Sequence, residues 1–245
     1  MLLFYFCTSL SQKSTNTNKM VFDIISAVPE LLESPFSHSI MKRAIDKGLM
    51  EINIINLRDY GLGPHRQIDD YMYGGGAGMV MMVEPLDTCI TELKAKHTYD
   101  EIIFLTPDGT TYDQKLANRL SLQKRILLIL GHYKGIDQRI RDTHVTMELS
   151  IGDYVLSGGE LPAAVLVDSI GRLLPGVLSD AASALSDSHQ DNLLAPPVYS
   201  RPAEYKGELV PEVLLSGHDK NIEEWRYAQA EQKTKERRPD LLDKE

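Results

Sequence analysis

The most informative stretch for the fold is residues 125–137, which read RILLILGHYKGID. Residues 126–130 are apolar without interruption, as expected of a strand that is covered on both faces of a sheet. Gly131 and Gly135 follow directly, and glycine allows the backbone to take positive φ values and to approach a ligand closely. This combination is typical of an α/β sheet with a ligand site outside the carboxyl ends of its strands.

Strand and helix patterns alternate on both sides of this stretch. Leu86, Cys89, Ile90 and Leu93 recur at three- and four-residue spacing, which is the period of one helix face. The alternation predicts an α/β fold with a mainly parallel sheet. Further strands are predicted at residues 21–26, 51–57 and 101–105, and helices at about 29–47, 85–96 and 159–174.

The pattern changes after Pro175. Residues 178–200 are rich in Ser, Asp and Pro, which is typical of a linker, and residues 211–245 are polar and mostly helical in pattern. We therefore predict a main domain over residues 20–180, an interdomain linker over 181–195 and a small helical C-terminal domain over 196–245.

Residues 1–19 are predicted to be a disordered extension, with Met20 as a plausible start. Residues 2–7 are apolar but have no basic residue before them, and residues 9–19 are rich in Ser, Thr and Asn. The alternative, a weak targeting segment, would need a longer apolar run and a charged leader.

The composition narrows the class of protein. The chain has 245 residues, of which 42% are hydrophobic and 25% charged, and its net charge is −9. An acidic balance argues against a uniformly basic nucleic-acid coat protein but leaves room for local basic patches. Cys7 and Cys89 have no metal-ligand spacing, which favours a reducing, cytoplasmic compartment. No apolar run approaches the roughly 18–20 residues that span a bilayer, so no membrane association is expected.

Three glycine-containing turns follow predicted strands: LTPDG at 105–109, GHYKGID at 131–137 and SIGDYVLSGGE at 150–160. Each alone would more often be an ordinary loop. Together, at consecutive strand ends, they favour one shared site for a nucleotide-like ligand. The sequence has no Walker loop, no GxGxxG after the first strand and no zinc signature, which disfavours ATP, NAD and metal chemistry.

Two further features favour RNA as a partner. Residues 69–79 read DDYMYGGGAGM, and their tyrosines could stack on bases, although a flexible loop is the simpler interpretation. Clusters of basic residues are often only solvated faces, but in an acidic chain they favour a phosphate-binding surface. The basic residues concerned are Lys42, Arg43, Lys47, Arg58, His65, Arg66, Arg226, Lys233, Lys235, Arg237 and Arg238.

Together these motifs resemble the bacterial tRNA (guanine-N1)-methyltransferases of the knotted SPOUT class. The resemblance extends from Met20 to the end of the chain and is most specific at residues 69–82, 131–139 and 150–162. Residues 201–202 and 214–218 add to it. It implies a deep trefoil knot that binds S-adenosylmethionine, a homodimer with shared active sites, and a tRNA substrate. The target would be the guanine immediately 3′ of the anticodon, preceded by another guanine.

By motif, the resemblance implies a donor site made by the three glycine-containing turns. Its residues are Leu105, Thr106, Pro107, Gly109, Gly131, Tyr133, Gly135, Ile151, Gly152, Asp153, Tyr154, Val155, Leu156, Gly158 and Gly159. Lys134 departs from the family, which more often has an acidic residue at this position, and it changes the electrostatics expected there. No metal ligand is predicted, and the sequence does not indicate whether Mg²⁺ assists.

Methylation at N1 of guanine needs the N1 proton to be removed, which a carboxylate can do as general base. Charge then develops on O6, where a cationic donor is useful. By resemblance these roles match Asp187 and Arg172. From the residues alone, Asp187 could equally cap a turn and Arg172 could complement a helix dipole. The alternative functions are a knotted ribose 2′-O-methyltransferase and a non-catalytic RNA-binding relative.

Overall fold

The computed structural model describes residues 19–178 and 187–242. The strands are β1 (Met20–Ser26), β2 (Met50–Asn56), β3 (Asp69–Tyr71), β4 (Met79–Met81), β5 (Glu101–Thr111), β6 (Arg125–Leu130), β7 (Met147–Ser150), β8 (Glu204–Tyr205) and β9 (Glu208–Leu209). The α-helices are α1 (Glu33–Phe36), α2 (Ser39–Asp46), α3 (Val83–Lys96), α4 (Gln114–Leu120), α5 (Gln138–His144), α6 (Glu160–Gly171), α7 (Glu212–Leu215) and α8 (Asp219–Arg237). Short 3-10 helices span Pro29–Leu32, Leu57–Tyr60 and Pro239–Leu241.

The main sheet has the strand order β2-β1-β6-β5-β7, and every neighbouring pair in it is parallel. This confirms the predicted α/β class with a mainly parallel sheet. The trefoil knot, which strand order does not test, stays a prediction.

The central strand β6 is covered on both faces, as its apolar sequence predicts. Ile126, Leu128 and Leu130 belong to one core and Leu127 and Ile129 to the other, and all five are fully buried. Helices α2, α4 and α6 contribute to the first core, while α3 and α5 contribute to the second. Truncating one of these leucines to alanine would cost about 2–5 kcal/mol, because it leaves a cavity between a sheet and a helix layer.

The prediction of one helix over residues 29–47 was wrong. The segment divides into the 3-10 helix Pro29–Leu32, α1 and α2, because His38 is extended and Ser39 has a φ of +55°. Both sides of the break place apolar side chains in the same core: Leu32 and Phe36 before it, and Met41 and Ala44 after it.

The turn at residues 105–109 does not end its strand, as the sequence suggested. Leu105 and Thr110 both pair with Leu149 of β7, so residues 106–109 bulge out and β5 then resumes as far as Thr111. Strand β7, four residues long, is the strand that the third turn was expected to follow, although no bounds were predicted for it.

The C-terminal part is mostly helical, as predicted, but begins with the unpredicted hairpin β8–β9. Residues 187–200 form neither helix nor strand. This segment contacts α8, where the Leu194 amide donates to the Thr234 hydroxyl at 2.9 Å and Lys233 donates to the Ala195 carbonyl at 2.8 Å. The division into domains stays a prediction, and residues 1–18 of the predicted extension and residues 181–186 of the 181–195 linker lie outside the described residues.

In the part of the chain that the structure describes, no helix is both long and apolar enough to cross a membrane.

Candidate functional site

The three glycine-containing turns meet at the carboxyl edge of the sheet. Their strands, β6, β5 and β7, are direct neighbours, so the turns surround one cavity of about 250 Å³. Thirteen of the fifteen residues predicted for the donor site line this cavity: Leu105, Thr106, Pro107, Gly131, Tyr133, Gly135, Ile151, Gly152, Tyr154, Val155, Leu156, Gly158 and Gly159. Their part in binding a donor stays a prediction.

Two predicted residues lie outside the lining. A Cβ on Gly109 would stand 2.6 Å from the carbonyl carbon of Glu148, so Gly109 serves the close approach of the bulge to β7. Asp153 is exposed to solvent and does not border the cavity.

Lys134, which the sequence analysis singled out for its charge, also lines the cavity. Other lining residues were missed from the sequence: Phe104, His132, Leu149, Ser150, Ser157 and Pro162. His132 lies between the predicted residues Gly131 and Tyr133, so its place in the motif could have predicted it.

The cavity is suited to a flat, partly apolar ligand such as a nucleoside. Leu105, Leu149, Ile151 and Leu156 give it apolar walls, and glycine backbone supplies polar groups between them. The floor is tight, because a Cβ on Gly131 would lie 3.0 Å from the Phe104 ring. These features fit an adenosine-containing methyl donor.

A buried, hydrogen-bonded pair of His132 and Glu160 joins two of the loops around the cavity. His132 Nε2 lies 2.8 and 2.9 Å from the two Glu160 carboxylate oxygens, and the Ser26 hydroxyl donates to Glu160 at 2.6 Å. Burial raises the pKa of Glu160, but the hydrogen bonds from His132 and Ser26 outweigh it and keep this pKa below its usual value. The Gly159 amide also donates to the Gly131 carbonyl at 3.0 Å. The two loops are therefore held together by charge and by backbone.

A second set of contacts supports the bulge in β5. The Arg141 guanidinium forms two hydrogen bonds with Glu148, at 2.6 and 2.7 Å, and one with Asp108 at 2.9 Å. It also lies over the Phe104 ring, 5.4 Å from the centroid. Hydrogen bonds from Thr106 and then Arg141 hold the pKa of Asp108 below its usual value. Arg141, which does not itself line the cavity, thus holds the β5 bulge that forms one of its walls.

The hairpin β3–β4 is attached to the cavity by backbone hydrogen bonds. The Lys134 amide donates to the Met79 carbonyl at 3.0 Å, and the Met81 amide donates to the Gly135 carbonyl at 3.0 Å. The hairpin presents Tyr71 and Tyr73 almost fully to solvent. The glycine cluster at 74–78 is thus the tip of an ordered hairpin that adjoins the donor cavity.

Arg172 and Asp187 are brought together, with an N–O distance of 2.6 Å. They do not border the donor cavity of their own chain. Arg172 follows the end of α6, whereas Pro162, near the start of that helix, lines the cavity. At 1.5 Å per residue this separates them by about 15 Å along the helix. Asp187 instead borders a groove of about 1340 Å³ beside α8.

Several of the basic residues predicted to bind phosphate have partners within the chain. Lys42 pairs with Asp46, Lys235 with Glu231 and Arg238 with Asp240. Among residues 19–178 and 187–242, no cluster of three or more His, Cys, Asp or Glu side chains is placed to hold a metal ion.

Comparison with known families gives a match along nearly the whole described chain. The family model described as tRNA (Guanine-1)-methyltransferase TrmD matches residues 20–244. The chain belongs to the TrmD family.

Individual members of the TrmD family are similar at high identity. The tRNA (guanine-N(1)-)-methyltransferase of Christiangramia forsetii is 63% identical over 92% of this chain and 100% of its own length. The enzyme of the same name from Cytophaga hutchinsonii is 61% identical over 92% of this chain and 96% of its own. That of Bacteroides fragilis is 60% identical over 91% of this chain and 100% of its own. The resemblance inferred from the motifs is therefore confirmed, and the matched residues 20–244 of this TrmD-family chain include both the cavity and the Arg172–Asp187 pair.

Proposed function

We propose that the chain transfers a methyl group from S-adenosylmethionine to N1 of the guanine immediately 3′ of the anticodon in tRNA. The observation that carries this proposal is the Arg172–Asp187 pair, in a chain that matches the TrmD family over residues 20–244. The relatives are named for guanine N1, and nothing in the structure favours ribose 2′-O-methylation or a non-catalytic role.

The pair offers what the N1–O6 edge of guanine needs. Guanine presents an N–H donor at N1 beside an acceptor at O6, and Asp187 and Arg172 present an acceptor beside a donor. Asp187 takes the N1 proton as the base, and Arg172 stabilises the charge that develops on O6. Bound S-adenosylmethionine supplies the methyl group from its sulfonium centre.

The separation of the two parts of the site supports a homodimer. Since Arg172 lies about 15 Å from the cavity along α6, the pair of one chain would serve the cavity of its partner. The α6 residues Leu161 and Val165, one turn apart, are 60% and 46% exposed, and Val155 beside the cavity is 81% exposed. Exposed apolar side chains grouped around a site are typical of an interface.

The tRNA would meet the surface on which the hairpin tyrosines stand. Tyr71 and Tyr73 can stack on unpaired bases, and Arg226 and Arg237 on α8 are exposed cations for phosphates. We expect the enzyme to act in the cytoplasm, where its tRNA substrate is.

The proposal is tested by single-turnover methyl transfer to two transcripts that differ only in having guanine or adenine at the target position. We expect methylation of the first alone. Asp187→Asn keeps the shape but cannot accept a proton, so its rate should fall about 10²–10⁴-fold while donor and tRNA affinities hold.

Asp191→Asn, a change of the same kind beside the same groove, is the matched control and should stay within about twofold of the wild-type rate, as expected of a surface substitution. Methylation of the adenine transcript would contradict the proposed target. An Asp187→Asn rate above about a tenth of wild type would place the base elsewhere.

A further inference from the structure

We propose that Lys134 binds the carboxylate at the amino-acid end of the methyl donor. This inference rests on the proposed function, because it assumes that the cavity between the three turns takes S-adenosylmethionine. It assigns a charge-recognition role to a cationic residue of the cavity lining.

The charges around the cavity leave Lys134 without a partner. Among the described residues that line the cavity, none is Asp or Glu. The other basic lining side chain, His132, is already bound to the buried Glu160. The Lys134 side chain is exposed and forms no hydrogen bond or ion pair with any side chain in the described parts of the chain. An ammonium at the rim of the cavity that has no ion-pair partner in its own chain is a site for a ligand anion.

The position of the Lys134 side chain is set by the hairpin. Its amide donates to the Met79 carbonyl at 3.0 Å, and its side chain lies over Gly78. A Cβ on Gly78 would stand 3.1 and 3.2 Å from Cγ and Cε of Lys134. Tyr133 and Gly135, on either side, both have positive φ and both line the cavity. The lysine therefore lies along a fixed backbone surface at the cavity rim.

The donor carries one negative group, the carboxylate, and two positive groups, the ammonium and the sulfonium. A lysine in the cavity repels the two positive groups, so it strengthens binding of the donor only where it contacts the carboxylate directly. A direct, partly desolvated contact outweighs repulsion over a longer distance because Coulomb energy falls with separation. An RNA phosphate is the competing anion, but Lys134 lines the donor cavity itself.

The test compares two ligands that differ only in the carboxylate: S-adenosylhomocysteine and S-adenosyl-3-thiopropylamine. Both lack the sulfonium charge, which removes that source of repulsion. Dissociation constants are measured by calorimetry on the full-length wild type, Lys134→Met and Lys134→Arg. We expect Lys134→Met to weaken S-adenosylhomocysteine on the order of tenfold and to leave the amine within about twofold. Lys134→Arg should restore most of the affinity, since it restores the cation.

Lys115→Met is the matched control, because Lys115 is exposed on α4 and does not line the cavity. It should change neither constant. Equal weakening of both ligands by Lys134→Met would overturn the inference, because the lysine would then act through shape. Unchanged binding of both ligands with a weaker, salt-dependent affinity for tRNA would assign Lys134 to a phosphate. If the wild type binds neither ligand, the donor cavity is misassigned and the proposed function fails with it.

Discussion

Replacing the buried Glu160 with glutamine should destabilise the fold around the donor cavity. Glu160 is only 2% exposed, and its carboxylate accepts hydrogen bonds from His132 and Ser26. Hydrogen bonds to a charged group contribute about 1.5–3 kcal/mol each and neutral ones about 0.5–1.5. Losing the charge at two contacts therefore costs about 2–3 kcal/mol. For a chain of this size that lowers Tm by about 4–12 °C.

The assay is thermal unfolding followed by circular dichroism at pH 7, with Glu92→Gln as the matched control. Glu92 pairs with Lys96 on the exposed surface of α3, where solvent screening leaves a salt bridge with little effect on stability. A Glu160→Gln shift no larger than that of Glu92→Gln would refute the argument, since the buried carboxylate would then contribute no more than an exposed one.

The pH dependence gives a second check. The pKa of Glu160 is lowered in the folded chain, because hydrogen bonds from His132 and Ser26 outweigh the effect of burial. A carboxyl group whose pKa is lowered by folding stabilises the folded state at pH values above its unfolded pKa of about 4.3. This contribution is lost as the pH falls through the pKa of the group in the folded state. The difference in Tm between wild type and Glu160→Gln should therefore narrow below about pH 4.3. A constant difference down to pH 3 would contradict the assignment of charge.

Further predictions concern the dimer, the bulge, a second buried carboxylate and the N-terminal extension. Asp187→Asn and Leu156→Asp should each be inactive, yet after mixed refolding they should regain about a quarter of wild-type activity. Random pairing makes half of the dimers mixed, and each mixed dimer has one intact site of two, formed by the unaltered cavity of one chain and the unaltered Asp187 of the other. A shared site would be excluded by a lack of recovered activity, or by light scattering that gives the mass of a single chain. Arg141→Lys should weaken S-adenosylhomocysteine binding in calorimetry, because lysine cannot hold Glu148 and Asp108 with one planar group; unchanged affinity would show that the bulge needs no support. Asp23→Asn should lower stability by about 3 kcal/mol in urea unfolding, because Arg125, Tyr99 and Asn53 all donate to that buried carboxylate; a loss below about 1 kcal/mol would contradict this. Deleting residues 1–19 should leave methyl transfer unchanged, and a large loss would assign the extension a function.

The sequence predicted those parts of the fold that depend on local pattern. The apolar run of β6 indicates burial directly, because a strand covered on both faces is apolar without interruption. The spacing of Leu86, Cys89, Ile90 and Leu93 does the same, because apolar residues three and four positions apart share one face of a helix. The break at Ser39 was not predictable, because a positive φ at a serine comes from tertiary packing rather than from local preference.

The cavity between the three turns was predicted in outline because glycines mark the turns that surround it; its use for a methyl donor stays a prediction. Contacts between distant segments were beyond a reading of the sequence. His132 and Glu160 are 28 residues apart, and Ser26 and Glu160 are 134 apart. No spacing rule connects side chains over such distances, so this network appears only once the strands are ordered. The bulge in β5 was missed for the same reason, since it depends on pairing with β7.

The length of helix α6 sets the distance between the two parts of the proposed active site. Its first turn borders the donor cavity. Arg172 follows its last residue directly and belongs to the Arg172–Asp187 pair that is proposed to act on guanine. One inserted residue would advance the arginine by about 1.5 Å and rotate it by about 100°. In a two-fold dimer the same displacement of the arginine would occur at both active sites. The length of α6 is therefore constrained in its own right, and a single insertion should impair both sites even when the interface residues Leu161 and Val165 are unchanged.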